Sequence, residues 1–157
     1  MKNITIERTY KASLADVWAL WTTKDGFESW WGPEGFRVDV RRLDATPGGE
    51  LHYAMIADAP EQIEAMKRMG QPVSHETHGT FTELRPRDRL VLTHIIDFLP
   101  GVTPYESTIV AEFSEVADRV RMVVTLHPMH DEAFSRMQVK GFTSQLTKLD
   151  RRFGLQA

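Results

Sequence analysis

The sequence predicts an α+β domain: a seven-stranded antiparallel sheet with one long C-terminal helix lying on it. Three observations carry that expectation. From Phe36 to Leu126 the residues alternate in strand fashion, broken by turn signals at Pro47-Gly48-Gly49, Pro86-Arg87-Asp88, Pro100-Gly101 and Ala117-Asp118, and short turns make antiparallel neighbours. A further strand opens the chain, with Ile4, Ile6 and, less cleanly, Tyr10 alternating with Thr5, Glu7 and Thr9. After Asp131 an amphipathic pattern runs to about Gly154, and a helix that long with one apolar face needs the open face of a sheet to cover it.

Each element can be justified in turn. Ser13 stands at the start of a first helix, with Asp16 at the capping-box position and Leu14, Val17, Trp18 and Trp21 at i, i+3, i+4 and i+7. A second short helix through Asp25 to Trp30 should end at Gly32-Pro33, because glycine tolerates positive φ and proline lacks a donor. That segment, FESWWGPEGF, places two of the four tryptophans at a turn. One ring is expected to pack inward with Trp18 or Trp21 and the other to sit at the rim of the sheet.

Strands are expected at Phe36 to Asp44, Glu50 to Ile56, Ser74 to Leu84, Arg89 to Phe98, Glu106 to Val116 and Arg119 to Leu126. Asp58 to Gln71 interrupts them, with Ile63, Met66 and Met69 at near-helical spacing before a glycine stop. In the final helix Phe134, Gln138, Phe142, Gln145, Leu146, Leu149 and Phe153 share one face at 100° per residue.

The 157 residues suit a single domain with one core, spanning 1–157. With 19 basic and 22 acidic residues mixed along the chain, there is no electrostatic footprint for nucleic acid or an anionic membrane, and Arg41-Arg42 and Arg151-Arg152 mark solvated faces. No cysteine is present, which excludes disulfides and thiolate chemistry. No run approaches ~18 apolar residues and the first residues lack a signal core, so a cytoplasmic protein is expected.

Residues that could carry chemistry are few. The six histidines form no HxH or HExxH motif, so no metal is expected. His52, His78 and His94 remain candidates for polar groups of a cavity, if neighbouring strands bring them together. No GxSxG elbow positions a serine nucleophile. Gln138 and Gln145 lie on the apolar stripe of the last helix, where a buried amide must meet a strand group such as Tyr53 or Thr80, backbone, water or a ligand. Gly141, inside that helix, calls for close approach to a strand, vacated volume, or both. Met55, Met66 and Met69 suit either ordinary packing or the mouth of a cavity.

The runs RTYKASLADVWALWTTKDGFESWWGPEGF, LDATPGGELHY, GTFTELRPRDRLVLT and GFTSQLTKLDRRF resemble the stand-alone bacterial members of the family named for activators of the heat-shock protein 90 ATPase. The combination of Val17-Trp18, Trp30-Trp31, Gly48-Gly49, Glu83-Leu84, Arg89-Leu90 and Gly141 carries the resemblance over nearly the whole chain. It implies the helix-grip fold of the START and polyketide-cyclase superfamily: seven antiparallel strands curled around the C-terminal helix, with a cavity between them. Phe142 stands where that family usually has tryptophan, and the segment around Pro60 to Gly70 is its more variable part. An insertion of this length, about 58–71, would fold over one end of the cavity as a lid.

Three functions follow from the resemblance. The first is binding of a small hydrophobic, aromatic or lipid-like molecule by Trp31, Tyr53, Met55, Met66, Phe81, Gln138, Gly141, Phe142 and Gln145, without a cofactor. The second is a cyclase, dehydratase or hydrolase reaction in the same cavity, for which His78, His94 and Glu83 are the catalytic candidates. The third, which the family name suggests along with a stress-response setting, is a chaperone-linked partner. It ranks last because the eukaryotic activators carry a separate N-terminal domain for which these residues leave no room. A weak homodimer, through an exposed sheet face or the Trp30-Trp31 turn, is also open.

Overall fold

The structure, a computed structural model, describes residues 2–97 and 101–153. The element order is β1 (Ile4–Tyr10), α1 (Leu14–Thr22), α2 (Lys24–Glu28), β2 (Phe36–Leu43), β3 (Glu50–Ala57), α3 (Pro60–Arg68), β4 (Ser74–Arg85), β5 (Arg89–Ile96), β6 (Tyr105–Val116), β7 (Arg119–Leu126) and α4 (Glu132–Arg152). The strands form one antiparallel sheet in the order β1-β7-β6-β5-β4-β3-β2. Strands β1 and β2 are consecutive in sequence yet lie at opposite edges, so α1 and α2 carry the chain from one edge to the other.

The predicted helix starts are built as the side chains suggest. Ser13 Oγ accepts from Asp16 N–H at 3.1 Å, and Asp131 Oδ1 accepts from Phe134 N–H at 2.8 Å; each cap satisfies one of the amides that have no partner inside their helix. Alternation then decides the faces of the sheet. Leu51 and Tyr53 on β3, Phe81 on β4, Leu90, Leu92 and His94 on β5, Ala111 and Phe113 on β6, and Val120, Met122 and Val124 on β7 are buried beneath α4. Register shifts at Val40/Arg42 and Phe81/Glu83 interrupt the ladder, and such bulges bend strands so that a sheet can curl. This is the helix-grip arrangement.

Some expectations change; β2, β3 and β4 end at Leu43, Ala57 and Arg85, each one residue from the expected bound. Helix α2 stops at Glu28 rather than Trp30, because Trp30 and Trp31 N–H both turn back to Phe27 O, at 3.4 and 3.1 Å, in a tight turn. Strand β6 begins one residue earlier than expected, at Tyr105. Neither tryptophan of the turn sits at a rim: Trp30 is 0% and Trp31 4% exposed. Trp30 Nε1 donates to Leu20 O at 2.8 Å and Trp31 Nε1 to Tyr53 Oη at 3.1 Å. Each indole therefore keeps a hydrogen-bond partner inside, which removes the penalty that would have held one at the surface. The expected ends of β5 at Phe98 and of the last helix near Gly154, and the turn at Pro100, fall outside the described residues.

Candidate ligand-binding site

The site begins where the Gly32–Phe36 turn meets α4. Gly32, at φ +96°, adopts a conformation that favours glycine and directs its N–H to Gln145 Oε1 at 2.8 Å. Lys148 Nζ donates to Gly32 O at 2.8 Å and Phe36 O at 3.1 Å. Glu34 N–H meets Ser144 Oγ at 3.0 Å, and the Glu34 carboxylate accepts from Thr147 Oγ1 at 2.8 Å and pairs with Arg151 at 2.6 Å. Arg151 first, then Thr147, hold that carboxyl below its ordinary range. Burial depresses the Lys148 ammonium, with Glu34 opposing, which fits a cation half withdrawn from water and held by carbonyls. The turn is thus clasped to one edge of the C-terminal half of α4.

Behind the clasp lies an aromatic wall. Phe27 stacks on Trp31 with ring centroids 4.5 Å apart, Trp31 lies nearly parallel to His94 at 6.1 Å, and Phe142 stands edge-on to Trp31 at 5.9 Å. Tyr53 Oη and His94 Nε2 are 2.8 Å apart. The hydroxyl also accepts from Trp31 Nε1, and the imidazole tautomer sets which of Tyr53 Oη and His94 Nε2 donates to the other. Burial, with a smaller contribution from His78, pushes the His94 imidazole down to about 4. It is a neutral group at physiological pH, and burial likewise raises the Tyr53 phenol. The network offers hydrogen bonds without charge.

Helix α4 is packed unevenly along its length. Its buried residues are Phe142, Gln145, Leu146 and Leu149, all in the C-terminal half. Gly141 lies one turn before Gln145 and two before Lys148, on the edge that carries the clasp. It is only partly exposed, and beyond its chain neighbours and its own helix backbone no atom lies within 4 Å of a Cβ placed there. The close helix-to-strand contact expected at this glycine is therefore not made.

The remaining candidates divide between the two faces of the sheet. Met55 is half-buried beside Gly32, its sulfur 3.1 Å from where a Cβ would stand. Phe81 is fully buried, its backbone bonded to the Gly48-Gly49 turn. Gln138 is half-buried on α4, and Met66 is half-buried on α3, none of whose residues is fully buried. Helix α3 is tied to the turn through Asp58 and Ala59 N–H, which both donate to Gly35 O. His78 does not join His94. It lies on the outer face with its ring 5.7 Å from His52 and its Nε2 3.1 Å from Asp97 Oδ2, because successive strand residues point to opposite sides and Thr77, Gly79 and Phe81 take the inner positions. Glu83 is on the surface, paired with Arg85 and Arg89.

Among the described residues, clefts open to solvent lie at the surface. One of about 290 Å³ lies among Arg41, His52, Glu76, His78 and Asp97, one of about 430 Å³ beside Glu34, Asp58 and Lys148, and one of about 320 Å³ by Ile4, Arg136 and Val139. Gly141, Gln145 and His94 line none of them. Among the described residues no three histidine or acidic side chains are placed to hold a metal ion, and no helix is long and apolar enough to cross a membrane. Sequence reasoning missed Glu34, Ser144 and Lys148; the spacing of Gly141, Gln145 and Lys148 along one edge of α4 was the available signal.

The fold matches solved structures throughout its length. A protein from Chromobacterium violaceum is 18% identical with a TM-score of 0.75, covering 98% of each chain. A protein from Silicibacter pomeroyi whose structure bears the same family name is 20% identical with a TM-score of 0.75, over 98% of this chain and 99% of the other. A Nitrosomonas europaea protein is 21% identical with a TM-score of 0.70, over 95% and 92%. At these identities the likeness speaks for the fold alone. No curated protein matches the chain significantly. A family model does match, over residues 11–154, and by that match the chain belongs to the family of Activator of Hsp90 ATPase homolog 1-like proteins.

Proposed function

We propose that this protein binds a small, largely apolar molecule between the inner face of its sheet and the N-terminal half of α4. The observation that carries this reading is Gly141, a half-buried glycine inside α4 that no strand or side chain outside its immediate neighbours approaches within 4 Å of a Cβ position. Interiors are otherwise close-packed, and glycine within a helix costs about 1 kcal/mol relative to alanine. The neighbouring side chains are of the kinds such a ligand needs: aromatic Trp31 and Phe142, with Tyr53 and His94 as fixed polar groups. The enzyme reading has less support, since His78 and Glu83 stand on the outer side of the sheet from His94.

Titration with N-phenyl-1-naphthylamine, a neutral dye that fluoresces in apolar surroundings, tests the reading. Saturable uptake near one dye per chain is expected, with Gly141→Leu weakening it about tenfold while thermal stability is kept. No uptake by the folded protein, or uptake unaffected by Gly141→Leu, removes the proposal.

A further inference from the structure

Lys148 lines the cleft of about 430 Å³ that opens beside the clasp, together with Glu28, Ser29, Glu34, Arg37 and Asp58. Its nitrogen is only partly engaged by the protein. Two N–H groups go to Gly32 O at 2.8 Å and Phe36 O at 3.1 Å, and among the described residues Nζ makes no third hydrogen bond and no ion pair. An ammonium carries three N–H groups, whereas a neutral amine carries two and a lone pair. With both carbonyls served, the remaining tetrahedral position holds the third N–H in one form and the lone pair in the other. It points away from the two carbonyls, on a side chain that the cleft reaches.

The carboxylates around this nitrogen are committed elsewhere. Glu34 is held by Arg151 and Thr147, Glu28 by Lys24 and the Val40 N–H, and Asp58 by Arg37. Half-burial lowers the ammonium's hold on its proton, with Arg151 acting in the same direction and Glu34 and Asp58 opposing. Desolvation and a neighbouring cation are the two conditions that free a lysine amine to attack a carbonyl carbon.

We propose that Lys148 is a nucleophilic lysine that condenses with an uncharged aldehyde in this cleft. Its lone pair forms the C–N bond while the carbonyl π pair moves to oxygen, which takes a proton from the nitrogen. The hydroxyl then leaves with the remaining nitrogen proton as water, giving C=N, and a proton from solvent makes the iminium, which keeps one N–H for the two backbone carbonyls. Three carboxylates against Arg37 at the cleft favour an uncharged aldehyde over an anionic one. The site is distinct from the one beside Gly141 and stands or falls apart from it.

Reductive alkylation of the folded chain with propanal and sodium cyanoborohydride tests the proposal. Labelling is followed lysine by lysine by mass spectrometry after proteolysis, with the same reaction in urea as the reference for each site. Lys148 should be labelled about five- to tenfold faster in the folded chain than in urea, while the exposed Lys2, Lys11, Lys24, Lys67 and Lys140 stay within about twofold. Its rate should level off at a lower pH than theirs. The folded-to-urea ratio at Lys148 should be smaller for glyoxylate than for propanal. Lys148→Arg, which keeps donors for both carbonyls, should remove the fast phase; the site map of the wild-type chain decides whether or not that variant folds. Labelling of Lys148 no faster in the folded chain than in urea would overturn the proposal and leave this lysine a fastener of the turn. A larger ratio for glyoxylate than for propanal would overturn the uncharged class.

Discussion

The two halves of α4 belong to one helix and behave as different structures. From Phe142 onward it buries four side chains and is fastened to the Gly32–Phe36 turn by Ser144, Gln145, Thr147, Lys148 and Arg151. From Glu132 to Gly141 it buries none; Phe134 and Gln138 are half-buried, and Met137 is 62% exposed. One end is gripped, and the other rests on the core only through partly buried side chains such as Val139. Stabilising contacts are thereby concentrated in one half of a single element.

The largest test of this contrast is truncation at its two ends. Trp30→Ala and Trp31→Ala, each emptying a buried aromatic position next to Phe142, should each cost about 3–5 kcal/mol in urea unfolding, and Met137→Ala less than about 0.5 kcal/mol. A small loss for Trp31→Ala would mean that the gripped end is no better packed than the other.

Acid should weaken the gripped end next. The fold lowers the His94 imidazole from its ordinary 6.5 to about 4. The unfolded chain therefore takes up the proton first. This contribution is complete above about pH 6.5 and is lost as the pH falls toward 4, amounting to about 3 kcal/mol at ~1.4 kcal/mol per unit. Wild type should lose that much more stability between pH 7 and pH 4 than His94→Gln; equal losses would show an accessible imidazole. The smallest effect belongs to the N-terminal half. Gly141→Ala should raise stability by about 1 kcal/mol through helix propensity alone, and a drop in melting temperature would show that the glycine is packed against something.

Much of the architecture was legible because it is local. Ser13 and Asp131 announce helix starts by chemistry that acts three residues away, and strand alternation is a property of neighbours. The site was less legible because its bonds are long-range. Gln145 could be read as a buried amide, but its partner, Gly32, lies 113 positions away, and residue type does not name a partner. The parity of Phe81 on β4 already implied that His78 faces outward. One of the two turn tryptophans was expected at a rim because nothing in the segment reveals Tyr53, the hydroxyl that lets the Trp31 indole be buried.

One bond also sets an order of events. Tyr10 Oη donates to Asp150 Oδ1 across 140 positions, so β1 and α4 are joined only after everything between them has been made. During synthesis the strands can pair while their inner surface, with Leu51, Phe81, Leu92 and Met122, still lacks its cover. Closing so long a loop is entropically the most demanding contact. Until α4 has been made, the inner surface of the sheet therefore lacks the cover that this helix gives it.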